Sequence, residues 1–247
     1  MMADMALSEL TEQLRAAMPV AMDALAAAPA TTGLVIVDEV NGFATVGAGN
    51  MAPPVANPQI DRMIAETDRL ARLFTAAKAP ILAFADCHLP GKPEPPYPPH
   101  CEAGTGEEEL VAALAWLEDD PNTTIVRKDC INGFIGATGK DGGNRFVDWV
   151  TGHRIETLVV VGICTDICVM DFVLTTLSAR NHEMMPGLRE VCVYEGGCAT
   201  YGLPRAIAEE LGYGATAAHP QDVTHYMGLY FMASRGARIV DQVSLTG

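Results

Sequence analysis

The run from Leu158 to Phe172 narrows what this chain can fold into more than any other stretch. Its opening residues are apolar and mostly β-branched, Gly162 follows, and beyond Thr165 and Asp166, both good helix caps, the pattern switches to helical spacing. That describes a buried strand turning sharply into a helix. Cys168 falls in the helix's first turn, where unpaired backbone N–H groups and the positive end of the helix dipole favour a thiolate over a thiol. The same position also suits a small buried apolar residue. The rest of the chain must separate these readings.

Five further segments read as strands: residues 33–37, 80–85, 123–126, 190–194 and 237–240, with 155–161 leading into the Cys168 turn. The fifth in chain order, 190–194, is expected to end in a tight turn at Gly196 and Gly197. Helical spacing covers 59–77, 107–117, 204–211 and 222–232, with a shorter helix ending near Gly152. Residues 6–28 read as an added amphipathic helix, capped by Ser8 or Thr11 and closed before Pro29. Alternating strands and helices with buried strands predict an α/β fold, a doubly wound six-stranded parallel sheet covered by helices on both faces. At 247 residues and 49% hydrophobic content, residues 1–247 are expected to form one domain.

In open α/β sheets ligands bind at the carboxyl ends of the strands. Asp38 stands at one such end, Asp86 at the next, Lys128 at the third, and Cys168 one turn beyond the fourth. An Asp there can merely cap a turn, and most lysines are solvated. Three chemically complementary groups reaching one sheet edge favour a catalytic reading.

Asp86, Cys87 and His88 open a long proline-rich loop that returns through Tyr97, Pro98, Pro99, His100 and Cys101. Loops this long are usually functional, and the prolines lower the entropy lost on ordering. One carboxylate and two imidazoles, from Asp86, His88 and His100, suit zinc, manganese or ferrous iron better than magnesium or calcium. Glu94, in the same loop, is a possible fourth ligand.

Composition excludes several partners. A formal net charge of −15 with no basic stripe opposes nucleic acid. No apolar run approaches the roughly 20 residues that span a bilayer. Seven scattered cysteines and no basic-then-apolar leader predict reduced thiols and a cytoplasmic protein.

The motifs now in view resemble those of the isochorismatase-like cysteine hydrolases, and within them the plant-type nicotinamidases. They are Val35-Ile36-Val37-Asp38 with Asn41 and Phe43; Asp86-Cys87-His88; Pro98-Pro99-His100-Cys101-Glu102-Ala103-Gly104-Thr105; Arg127-Lys128-Asp129; and Gly162-Ile163-Cys164-Thr165-Asp166-Ile167-Cys168-Val169. The resemblance spans roughly residues 33–201. It implies strand order 3-2-1-4-5-6 and a triad with Cys168 as nucleophile, Asp38 as base and Lys128 stabilising charge. It also implies metal ligation by Asp86, His88 and His100, most often to zinc, and a substrate ring held between Phe43 and Tyr97, where many relatives carry Trp at the latter position. A cis peptide between Ile163 and Cys164 would turn the N–H groups of Cys164 and Cys168 toward one oxyanion.

The implied reaction is hydrolysis of nicotinamide through a thioester, in NAD salvage, with no nucleotide cofactor and in a homo-oligomer. The alternatives are a relative that cleaves another small amide and a catalytically silent binding protein on the same fold. Glu39 and Val40 depart from the Val-Gln often found after the catalytic Asp.

Overall fold

The sheet is built from short buried runs in which consecutive side chains point to opposite faces. The computed structural model describes residues 2–92 and 94–246, so Met1, Gly247 and Pro93 of the proline-rich loop lie outside the described residues. Its strands are β1 (Met22–Ala27), β2 (Thr32–Val37), β3 (Ile81–Asp86), β4 (Thr123–Lys128), β5 (Thr157–Ile163), β6 (Glu190–Ala199) and β7 (Arg238–Leu245). All pair in parallel, in the order β1-β7-β6-β5-β2-β3-β4. From β2 onward this is the expected 3-2-1-4-5-6 arrangement; β1 is an unexpected seventh strand at the edge.

The helices are α1 (Met2–Ala17), α2 (Asn41–Ala44), α3 (Pro58–Ala76), α4 (Gly133–Gly136), α5 (Arg145–Gly152), α6 (Cys168–Asn181), α7 (Arg205–Glu210) and α8 (Gln221–Ala233). Alternation along β2 sends Leu34 and Ile36 to one face, with Ile60, Met63, Leu70 and Phe74 of α3. Val35 and Val37 go to the other, with Phe146 and Trp149 of α5, Phe172 of α6 and Leu229 and Met232 of α8. Both faces are therefore apolar, which is why β2, β3 and β5 read as continuous apolar runs. Truncating one of the fully buried rings, such as Phe74 or Phe172, removes about 3 to 5 kcal/mol.

Three expectations need correction. The helix expected at 6–28 occupies Met2–Ala17, so Ser8 and Thr11 lie inside it, and the alanine-rich stretch beyond Pro19 is strand β1. Small side chains suit this edge, where Arg238 fixes the pairing through Asp23 at 2.9 and 3.0 Å. The Tyr226 hydroxyl donates to the Met18 carbonyl at 2.8 Å, and Arg15 stacks over the Tyr226 ring, so α1 is tied to α8. Second, β6 does not end before Gly196 and Gly197. It runs through them, with a shift of register opposite β5, because a Cβ on Gly197 would stand 2.5 Å from Val161.

The third correction concerns 107–117, which is a series of turns leading into a 3-10 helix at Ala115–Asp119. The acidic residues there serve the neighbouring backbone. Glu107 accepts from the Cys101 N–H at 2.9 Å, and Glu108 accepts from those of Gly104 and Gly106.

The chain reverses its winding direction between β2 and β5, and a crevice opens beyond that pair. Gly162 lets the two strands approach there: with φ of 132° it accepts no ordinary side chain, and a Cβ would sit 2.1 Å from the Val37 carbonyl oxygen. Gly162→Ala is expected to cost about 3 kcal/mol of stability by overpacking against backbone. Gly152→Ala, which meets nothing within 4 Å, should stay within about 1 kcal/mol of the native chain. Thermal denaturation of the two variants side by side checks the contrast.

Candidate active site

Asp38 directly follows β2, Asp86 ends β3, Lys128 ends β4 and Cys168 begins α6, so four strand ends deliver four reactive groups to one crevice. Register puts Asp86 beside Lys128 on adjoining strands. Strand alternation then separates neighbours: Arg127 turns outward to Glu118 at 3.0 Å, while Lys128 turns inward. Its ammonium lies 2.8 Å from Asp38 Oδ2 and 3.0 Å from Asp86 Oδ1, and donates to the Cys130 carbonyl at 2.9 Å. The contacts to Asp86 and Cys130 are hydrogen bonds, and the one to Asp38 is an ion pair. Asp38 adopts φ of 55°, a strained conformation that Asp tolerates better than most residues and that recurs at functional sites.

Burial sets the protonation of this group. It raises the Asp38 carboxyl to about 7, with Lys128 opposing the shift and the Asp86 charge adding to it. Burial would also lower the Lys128 ammonium, but Asp38 and Asp86 outweigh it and hold the group charged. Burial, then the Asp38 charge, push the Cys168 thiol well above its ordinary range, against the pull of Lys128. The first-turn position, which favours a thiolate, is outweighed by desolvation, and Cys168 rests as a thiol beside the Asp38 carboxylate.

The loop between β5 and α6 carries the cis peptide expected between Ile163 and Cys164. Neither the Cys164 nor the Cys168 backbone N–H has an acceptor among the described residues. Thr165 and Asp166 are not helix caps, since Ile167 holds that position without a side-chain bond. Thr165 is 2.8 Å from His225, and Asp166 bonds to Thr200 at 2.6 Å and His219 at 2.8 Å.

Across the crevice, Asp86, His88 and His100 each offer a donor atom within 4.8 Å of the others. Asp86 Oδ2 lies 3.0 Å from His88 Nε2 and 3.3 Å from His100 Nε2. Glu94 Oε2 stands 3.5 and 3.6 Å from the same two nitrogens, and its other oxygen accepts from the Ile131 N–H. Ligand bonds of about 2.0 to 2.2 Å put neighbouring donors about 3 to 3.5 Å apart, so these spacings fit one ion. Asp86 Oδ2 and His88 Nε2 are buried without a hydrogen-bond partner, as atoms reserved for an ion would be. The His100 Nδ1–H donates to the Pro98 carbonyl at 2.8 Å, which leaves Nε2 facing Asp86. The donor set therefore fits a divalent metal.

Phe43, Tyr97, Ile131, Ile167 and Tyr201 join Cys164 and Cys168 in lining the pocket between these groups. Phe43 and Tyr97 flank His100, with ring centroids 5.5 and 6.2 Å away. Tyr201 is a pocket residue that sequence reasoning passed over; its place just beyond the carboxyl end of β6 was the signal. Glu39, one of the two residues that depart from the family pattern, is turned away from Asp38. It is fully buried, accepts from Thr67 of α3 at 2.6 Å, and burial holds its carboxyl well above the ordinary range.

An isochorismatase domain model matches residues 32–205. Nicotinamidase 1 of Arabidopsis thaliana is 54% identical over 214 residues, 87% of each chain. Among solved structures, the pyrazinamidase/nicotinamidase of Streptococcus mutans UA159 superposes with a TM-score of 0.61 at 19% identity, covering 84% of this chain and 99% of its own. The nicotinamidase of Bacillus subtilis gives 0.62 at 19%, covering 85% and 99%. The pyrazinamidase of Pyrococcus horikoshii, solved in complex with zinc, gives 0.59 at 20%, covering 85% and 98%.

A thiol that must pass its proton to Asp38 before reacting has a distinctive pH dependence. Alkylation of Cys168 by iodoacetamide should fall tenfold per unit as pH drops below about 7, where Asp38 becomes protonated, and should level off above it. In Asp38→Asn the plateau should vanish, leaving a rate that climbs steadily with pH as for a plain buried thiol. Stopped-time labelling read by mass spectrometry distinguishes the two profiles.

Proposed function

The chain belongs to the isochorismatase domain family, and from that membership we propose that it is a nicotinamidase, converting nicotinamide and water to nicotinate and ammonia. The observation that carries the reading is the pairing of two groups across one apolar pocket: a thiol backed by a buried Asp-Lys pair, and an imidazole-carboxylate donor set.

Nicotinamide enters between Phe43 and Tyr97, whose rings hold the pyridine and aim its carboxamide carbon at Cys168. Asp38 accepts the thiol proton as sulfur attacks that carbon. Charge develops on the carbonyl oxygen, and the N–H groups of Cys164 and Cys168 receive it. Asp38 then passes its proton to the amide nitrogen, the C–N bond breaks, and ammonia leaves a thioester on Cys168. Water gives a proton to Asp38 and adds to the thioester. The C–S bond breaks, the proton returns to sulfur, and nicotinate departs.

Lys128 keeps the buried Asp38 ionisable near neutral pH; without it desolvation would hold that carboxyl protonated. A divalent ion held by Asp86, His88 and His100, with Glu94 beside it, supplies a Lewis-acid anchor for the ring nitrogen, and the donor chemistry favours zinc. We read the chain as one domain working in the cytoplasm, where its seven free cysteines stay reduced and nicotinate feeds NAD salvage. Among the described residues no helix is long and apolar enough to cross a membrane.

The nucleophile and the ring anchor should fail differently. Cys168→Ala should abolish ammonia release while keeping both bound metal and nicotinamide affinity. His88→Ala should lose metal and raise KM about tenfold or more, with the thiol still open to alkylation. Metal content by mass spectrometry beside nicotinamide binding by calorimetry reads both. A Cys168→Ala chain without metal would sink the division of roles.

A further inference from the structure

Two of the three residues between the oxyanion N–H groups of Cys164 and Cys168 are gripped by a segment that lies beyond the matched family region. That region ends at residue 205, whereas His219, His225 and Gly228 come later and converge on Thr165 and Asp166. His225 Nδ1 is 2.8 Å from Thr165 Oγ1, and its Nε2 faces Glu195 at 3.4 Å, which Arg62 in turn holds at 2.9 Å. His219 Nε2 is 2.8 Å from Asp166 Oδ2, and its Nδ1 is 2.7 Å from the Tyr201 carbonyl. The His219 ring also stacks on Tyr201, centroids 3.9 Å apart and planes within 11°. Between them, α8 closes on the loop so tightly that a Cβ on Gly228 would stand 2.8 Å from Asp166 Cα.

We infer that His219 and His225 are positioning residues for the oxyanion site: they clamp Thr165 and Asp166 from α8 and its approach, and so fix the direction of the Cys164 and Cys168 N–H groups. The inference rests on the amide-hydrolysis reading above. Three features argue for a built device over incidental packing. Thr165, His219 and His225 are buried polar groups with paired ring nitrogens or hydroxyl, an expensive arrangement where apolar residues would pack as well. Both histidines act on successive residues of one short loop. Their far sides are braced as well, His225 through Glu195 and Arg62, and His219 through Tyr201, which lines the pocket.

An oxyanion donor acts on charge that exists only in the transition state. Loosening the clamp should therefore lower kcat and leave KM nearly untouched. Thr165→Val keeps the shape of a wholly buried side chain but removes the hydroxyl that His225 holds, and it should reduce kcat for nicotinamide about 10- to 100-fold with KM within about twofold. Thr165→Ser restores the hydroxyl and should recover most of kcat. His219→Ala should lower kcat in the same way and also raise KM, because its ring braces Tyr201 of the pocket. Rates are taken per active site by titrating Cys168, and metal content is measured in each variant, so partial unfolding or lost metal is not mistaken for the effect. In 15N-labelled protein the Cys164 and Cys168 amide resonances should move in Thr165→Val and His219→Ala and return in Thr165→Ser. Unchanged kcat per site in Thr165→Val, or unmoved amide resonances, overturns the clamp. If the native chain releases no ammonia from nicotinamide, the proposed function fails, while the amide resonances still decide the clamp.

Discussion

One buried ammonium holds the reactive edge of this sheet together. Lys128 reaches Asp38 and Asp86 from a third strand, and both carboxylates are withdrawn from water. Two such anions facing each other without it would repel across a few ångströms of low-dielectric interior, and an unpaired buried charge costs about 3 to 5 kcal/mol. The same ammonium touches Asp38 on one side and, on the other, Asp86 of the imidazole-carboxylate cluster. Asp86 shows both pulls: burial works to raise its carboxyl, yet Lys128, His100 and His88 together hold it well below the usual carboxylate range. The two halves of the pocket are therefore one electrostatic unit.

Backbone proximity supplies the rigidity that this unit needs. Gly162 brings β5 against β2, and Gly136 lets the α4 turn lie on the Lys128 stem, where a Cβ would stand 2.5 Å from that side chain's own Cβ. Contacts of main chain with main chain leave little room for adjustment, unlike contacts between flexible side-chain ends. The positions of Asp38, Lys128 and Cys168 follow from how closely the strands and turns approach.

Much of this was legible in the residues themselves, for physical reasons that vary by element. Strands β2, β3 and β5 are buried on both faces, so each is an unbroken apolar run whose last residue marks the reactive edge. Strand β1 is hidden because its alanines suit helix as well as edge strand, and only pairing with β7 decides. The glycines of β6 resemble a turn locally but accommodate Val161 of the neighbouring strand. Residues 107–117 have helical spacing, yet Glu107 and Glu108 serve the loop backbone. The local pattern places Cys168 at the start of α6, but not the burial that holds it as a thiol, because helix position is a local property and desolvation is not. His219 and His225 meet the loop between β5 and α6 across more than fifty residues of chain, and no periodicity announces such a contact.

The edge strand β1 has an implication for how the molecule is made. Its partner is β7, with Met22 opposite Ile239 and Ala27 opposite Leu245, so the first strand synthesised waits for the last. While the chain emerges from the ribosome, β2 to β6 can assemble around their own neighbours, but Met22–Ala27 has no place to go until β7 has been made. The first and last strands of the sheet then meet at one seam, where Asp23 receives Arg238. Such a seam records that β7 is in place, since a chain cut before Arg238 leaves β1 unpaired.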